Sequence, residues 1–264
     1  MCRLLAYAGH EPESAAEALG SEGFERFTAL SELHRDGWGM AWVGQDGTVE
    51  TRKSTTPARE DPEFRRLGER ALGRAGFVHL RWATLGLAVE EANTHPFVAD
   101  GWAFAHQGSI KPPEALDDLL EPAWRERRRG STDSERYFLL ILQSLEQEEG
   151  DLVRAVKRAT GEIAARCDDA SLNAVLLSPE ALVFIHGRED IAPPPRDEIL
   201  RVVGSEERIP PEHLDHYLRI RYRQDSSGVT VVHSGLGPDG FEDLAPSTML
   251  LVELETLSVS LHPF

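Results

Sequence analysis

From Cys2 to Ala8 the chain alternates between two sets of positions and predicts a strand. Pro12 to Leu19 predicts a short helix, with Gly20 as its stop. Trp38 to Val43 and Thr48 to Lys53 read as strands, joined into a hairpin by the turn Gln45-Asp46-Gly47. Asp61 caps a helix with Pro62 at its first position, and that helix stops at Gly73. Gly76 to Thr84 and Trp102 to Gln107 are further strands, and Pro112 to Leu120 reads as helical. Thr132-Asp133-Ser134-Glu135 has the form of a capping box, followed by Phe138, Leu139, Ile141, Leu142 and Leu145 at helical spacing. Asp151 to Cys167 predicts a second long amphipathic helix. Six strand-like runs follow: Ser171 to Leu177, Ala181 to His186, Tyr217 to Arg223, Val229 to His233, Thr248 to Glu253 and Leu257 to His262. Strands, then two long helices, then strands predict an α+β fold with antiparallel sheets rather than a parallel βαβ sheet.

Composition narrows the picture. A chain of 264 residues, 41% of them hydrophobic, can bury a sizeable core as one large domain or two small ones. We expect a single unit over residues 1–264, with its motifs concentrated in 1–145. No run of about 18 apolar residues is present, so no membrane span is expected. Polar residues follow Arg3-Leu4-Leu5-Ala6 too soon for a signal-peptide core. The net charge of −17 argues against nucleic acid and anionic membrane as partners. Two cysteines, Cys2 and Cys167, imply no disulfide framework, and a cytoplasmic location fits. Cys167 reads as a packed, inert thiol, and Arg125 to Arg129 as a solvated basic surface.

The candidate chemistry begins at Cys2. If Met1 is removed, one residue carries both a thiol and a free α-amine. The reference pKa of such an amine is near ~8, so part of it is unprotonated at neutral pH and can take the thiol's proton. Further unusual polar residues sit in apolar surroundings. They are His34-Arg35-Asp36-Gly37, the run from His79 through Arg81, Trp82 and Thr84, then Asn93-Thr94-His95-Pro96, His106-Gln107-Gly108 and the helix start at Asp133. Alternation puts Val78, Leu80 and Trp82 on one strand face, and His79 and Arg81 on the other. An arginine in so apolar a strand needs an anionic partner from the protein or from a substrate. Asp133 lies where a helix dipole favours an anion. The two charges could pair with each other or hold the carboxylate and ammonium of an amino acid. Gln107-Gly108 could offer an amide and a backbone N–H to an oxyanion. His79, His95 and His106 leave a metal site open as an alternative.

Taken in order, the Met-Cys-Arg-Leu-Leu start, Asp36-Gly37-Trp38-Gly39, His79 to Thr84, Asn93 to Phe97, His106-Gln107-Gly108 and Thr132 to Glu135 resemble the class II glutamine amidotransferases of the N-terminal-nucleophile (Ntn) hydrolases. The resemblance covers roughly residues 1–145. It is nearest to free-standing members with only the glutaminase-like domain, including the ergothioneine-pathway γ-glutamyl amidohydrolases. It implies a four-layer αββα sandwich with two mainly antiparallel sheets, and no metal or organic cofactor. It implies Cys2 as nucleophile with its α-amine as base, and Gly108 as an oxyanion-hole donor. Arg81 and Thr84 would hold the carboxylate end of a small glutamine-like substrate and Asp133 its ammonium, with Trp82 and His95 in the same substrate-binding set. Ammonia would be hydrolytically released or passed to a separate synthase. The family pattern has Asn where this chain has Gln107, one methylene longer, a displacement of about one carbon–carbon bond (~1.5 Å) for the amide. A catalytically silent γ-glutamyl-binding protein is the alternative that this departure suggests.

Overall fold

A computed structural model describes residues 2–83, 86–210, 212–236 and 240–264. Thr84, one of the candidate substrate ligands, lies outside the described residues, as does Met1.

Two antiparallel sheets form the centre. The first has seven strands: β1 (Arg3–Glu13), β2 (Trp38–Val43), β3 (Val49–Ser54), β4 (Gly73–Leu80), β9 (Ile220–Gln224), β10 (Gly228–His233) and β11 (Glu242–Asp243). Their spatial order is β11-β9-β10-β1-β4-β2-β3. The second has six: β5 (Phe97–Ala99), β6 (Trp102–Gln107), β7 (Asn173–Leu177), β8 (Ala181–His186), β12 (Thr248–Glu253) and β13 (Ser258–Pro263). Their order is β13-β12-β8-β7-β6-β5.

Strand alternation explains the layers. In the first sheet Leu4, Ala6, Ala8, Ala41, Ala75 and Phe77 point inward, meeting Ala103, Ala105, Val175, Leu177, Phe184 and Leu250 of the second. The opposite faces are also apolar and need covers. Leu5, Tyr7, Trp38, Met40, Trp42, Val78 and Leu80 pack under α1 (Ala15–Leu19), α2 (Ser21–Ala29) and α3 (Pro62–Arg70), through Phe24, Phe27, Phe64 and Leu67. Phe104, Leu176, Val183, Ile185 and Met249 pack under α5 (Asp133–Gln147) and α6 (Leu152–Ala164). The result is the expected four-layer αββα sandwich. Burial of each large apolar side chain in these interfaces contributes about 1.5–3 kcal/mol.

Several local expectations change. β1 runs on to Glu13, so the first helix starts at Ala15 rather than Pro12. Ser14 caps it, in a full capping box with Glu17. The Thr132 box is only half formed: Thr132 Oγ1 accepts from Glu135 N at 3.1 Å, while the Glu135 carboxylate accepts from the N–H groups of Arg129 and Gly130 instead. Residues 112–120 hold only a short 3-10 turn at Pro113–Leu116. Three helices escaped the sequence reading: α2, α4 (Pro122–Arg125) and α7 (Arg196–Val203). The basic run is not merely solvated. Arg127 stacks over the Trp124 ring at 4.3 Å, and Arg128 pairs with Asp117 at 2.8 Å.

Candidate functional site

Cys2 stands at the head of β1 and is buried. Its Sγ donates to the carbonyl of Trp82 across 3.8 Å. β1 and β4 pair antiparallel with Arg3 opposite Leu80, so residues 81–83, continuing from β4, pass directly beside the start of the chain. A loop from the other flank fixes that continuation. Asp36 N donates to Arg81 O, Arg81 N donates to Gly37 O, and Asp36 Oδ2 accepts from Ala83 N at 2.8 Å. Asp36, which the sequence analysis named only as part of a polar motif without a role, therefore fixes the path of residues 81–83. Its signal was present: an acid directly before a glycine at a strand entry.

Arg81 is buried, and donates to Thr94 Oγ1 at 3.3 Å and Ala88 O at 3.1 Å. Among the described residues it has no carboxylate within ion-pair distance. Burial pulls its guanidinium down from the ordinary arginine value, while attraction to Cys2, Asp36 and Glu90 opposes that shift. The direct Arg81–Asp133 ion pair left open by the sequence is not formed. Asp133 Oδ2 accepts from Ile110 N at 2.7 Å, and its Oδ1 from Ser134 N at 2.9 Å. The carboxylate thus sits at the first turn of α5, where the dipole favours it, and also pins the segment after Gly108.

Gln107 ends β6 on its inward face, directly across from Asn173 in β7. Asn173 Nδ2 donates to Gln107 Oε1 at 3.1 Å and to Leu218 O at 3.0 Å, and Asn173 Oδ1 accepts from Gly187 N at 2.8 Å. Asn173 was missed from sequence. The available signal was an amide opening an otherwise apolar strand. Gly108 needs to be glycine, because a Cβ there would collide with Ser171 O and the His106 ring.

The histidines do not form a ligand set. His106 Nε2 donates to Ser171 O at 2.7 Å, so its Nδ1 accepts from Ser134 Oγ at 2.9 Å, and both ring nitrogens are committed. His79 and His95 pack tilted against each other at 4.3 Å between ring centroids, and His95 lies edge-on to Phe97. Burial is the main force driving His79 down to about 3, and it holds His95 well below the usual imidazole value. Both are neutral core rings. His95 is a packing residue rather than an arm into open space; its backbone also crosses β2 closely at Gly39, where any Cβ would collide with His95 O.

Beside this constellation opens a cavity of about 670 Å³, lined by Trp82, Ser109, Lys111, Cys167, Ile191 and Glu198 among others. Burial pushes the Cys167 thiol up, which keeps it protonated. A groove of similar volume, about 690 Å³, around Trp102, Trp124 and Arg127, holds none of the candidate site residues.

Comparison with known proteins bears on the family and the fold. The family model described as class-II glutamine amidotransferases matches residues 1–201. The chain is 30% identical over 176 residues, 62% of its length, to a Haemophilus influenzae protein whose name assigns it provisionally to the glutamine amidotransferases. It is 33% identical over 175 residues, 66% of its length, to a glutamine–fructose-6-phosphate aminotransferase (isomerizing) of Pseudomonas syringae pv. tomato. These matches span 56% of the first relative and 27% of the second. In fold, the chain is similar to a glutamine aminotransferase class-II domain protein of Silicibacter pomeroyi, with a TM-score of 0.62 at 23% identity over 100% of this chain and 99% of that one. It is also similar to an allosteric regulatory enzyme of purine biosynthesis, with a TM-score of 0.65 at 16% identity over 99% of this chain and 49% of that one. With the family model spanning most of its length and the four-layer fold in agreement, the chain belongs to the class-II glutamine amidotransferases.

Proposed function

We propose that the chain is an Ntn-type amidohydrolase that cleaves the side-chain amide of glutamine or of a γ-glutamyl amide. The observation that carries this reading is the buried Arg81, set beside Cys2 with no carboxylate partner among the described residues. A buried guanidinium in that state favours an anionic ligand, and a substrate α-carboxylate supplies one. Asp133, at the first turn of α5, would receive the substrate ammonium.

In this reading Cys2 Sγ attacks the side-chain amide carbonyl. The C–N bond breaks, ammonia or an amine leaves with a proton, and water then hydrolyses the γ-glutamyl thioester to glutamate. The α-amine of Cys2 would act as base, which requires removal of Met1. Gly108 N–H would face the developing oxyanion. Gln107 would complete the hole through its amide N–H₂, with its oxygen end braced on Asn173. The brace supports an adapted, active site over a silent binding protein. Thr84 enters this scheme from the family resemblance alone. The cavity beside Trp82 is of a size that suits a leaving amine larger than ammonia. Ammonia, where formed, would be released or taken by a separate acceptor enzyme.

A panel of γ-glutamyl amides, glutamine included, assayed for glutamate release by the processed chain tests this. Release that vanishes in Cys2→Ala supports the reading. Tight binding of these amides with no release in the intact protein would favour the silent alternative.

A further inference from the structure

Arg3 is the second residue of interest at the chain start, and the chemistry above does not use it. Its side chain is fully buried, on the face of β1 opposite the inter-sheet core. Its Nη1 donates to the Cys2 carbonyl at 2.8 Å. Its Nη2 meets His213 Nε2 at 2.9 Å, and since a guanidinium only donates, that nitrogen accepts. The guanidinium lies over the Tyr217 ring, 3.9 Å from its centroid. His213 in turn meets His34 Nε2 at 3.2 Å. Among the described residues no carboxylate comes within ion-pair distance of Arg3. Glu212, the nearest acid in sequence to His213, is engaged by Arg221 at 2.9 Å.

A buried cation so poor in anions is costly, by several kcal/mol per ion. What offsets it here is a carbonyl, a ring nitrogen, an aromatic face and the electrostatic attraction of Tyr217, Cys2 and Glu212. Two of these partners, His213 and Tyr217, come from the irregular segment 212–218, beyond the residues 1–201 that the family model covers. The same segment, through Leu218 O, also holds Asn173 and so reaches Gln107.

We infer that Arg3 is a positioning residue for Cys2, and that segment 212–218 acts as the latch that holds Arg3 in place. The physical need is plain. Cys2 lies one residue before β1, so the strand ladder does not itself fix it. Here its own carbonyl is clamped from one side by Arg3, while its thiol meets Trp82 O on the other. The inference rests on the reading of Cys2 as nucleophile, and its test separates the two.

The full-length protein, Arg3→Met, Tyr217→Leu and the double variant are compared, with exposed Arg26→Met as control. In hydrolysis of the best γ-glutamyl amide, each single change should lower kcat at least about tenfold with KM within about threefold, because a misplacement near 1 Å can cost on the order of 100-fold. The double variant should be no worse than Arg3→Met, the mark of two residues acting as one unit. In parallel, iodoacetamide alkylation is followed by peptide mass. The rate at Cys2 should change about tenfold in both single variants while Cys167 stays within about twofold, because the clamp acts on Cys2 alone. If the intact protein hydrolyses no amide, the proposed function fails and the alkylation arm still decides the latch. If Arg3→Met does not fold, Tyr217→Leu decides it. Unchanged Cys2 alkylation, equal change at both cysteines, or additive losses in the double variant overturn the inference.

Discussion

Gln107 and Asn173 face each other across adjacent antiparallel strands, and Asn173 Nδ2 donates to Gln107 Oε1 at 3.1 Å. The longer side chain at position 107 is therefore braced from the neighbouring strand. Asparagine there would end one methylene short and could not keep this bond without a backbone shift. Gln107→Asn is expected to lower single-turnover acylation of Cys2 about 100-fold, the lower end of the range for a lost oxyanion donor. Gln107→Ala should lower it further. Faster acylation in Gln107→Asn would mean that the native glutamine is a misplaced donor rather than an adapted one.

The two cysteines should separate cleanly. Cys2→Ala is expected to abolish amide hydrolysis with the fold retained, because the site needs little side-chain volume. Cys167 lines the cavity but its thiol is pushed up by burial, so Cys167→Ala should leave turnover within about twofold. A glutamine-mimicking electrophile should add its mass to the Cys2 peptide, and the active protein should lack Met1 by intact mass. Labelling at Cys167, or full activity with Met1 retained, would contradict the mechanism.

Substrate charge should read out at Arg81 and Asp133. Arg81→Ala should weaken γ-glutamyl recognition by about 2–3 kcal/mol, since it leaves the substrate carboxylate without its cation. Asp133→Asn is the better partner test, because Asp133 also ties down Ile110 N, and the amide oxygen can retain that bond. Its effect should appear in KM for substrates with an ammonium and vanish for des-amino amides. Equal cleavage of intact and truncated amides would remove both residues from recognition.

Buried neutral histidines predict a pH dependence of stability. His79 is held near 3 in the folded protein, against an ordinary value of about 6.5 in the unfolded chain. Between those values the unfolded chain binds the extra proton, so stability is complete above about pH 6.5 and falls as pH is lowered towards 3. The contribution of one such group is at most about 1.4 kcal/mol per pH unit. His79→Leu should flatten the slope of unfolding free energy against pH over that window, measured by urea titration. An unaltered slope would mean that His79 titrates normally.

The capping sites show how local and tertiary information divide. The Asp61-Pro62 start of α3 was legible because both signals act within one turn, and Asp61 Oδ1 does accept from Glu63 N. The Thr132 box was misread because the Glu135 carboxylate found the Arg129 and Gly130 N–H groups instead. α2 was missed because it carries few local start signals, with Gly20 at its cap, and is held by Phe24 and Phe27 against the sheet.

The pattern of the sequence determined the α+β class and the faces of its strands, while the four layers were implied only by the family resemblance. Period-two alternation fixes which side chains share a face, so Val78 and Leu80 were separable from His79 and Arg81 before any fold was known. It also determined the candidate chemistry, since Cys2, Arg81, Gln107, Gly108 and Asp133 stand out by type in apolar surroundings. Only the tertiary structure decided their partners. Asp36 meets Ala83, Asn173 meets Gln107, and His213 meets Arg3, across separations of 47, 66 and 210 residues. Hydrogen bonds and ion pairs act over a few ångströms and carry no periodic trace along the chain, so only strand register and loop path reveal which polar groups they join.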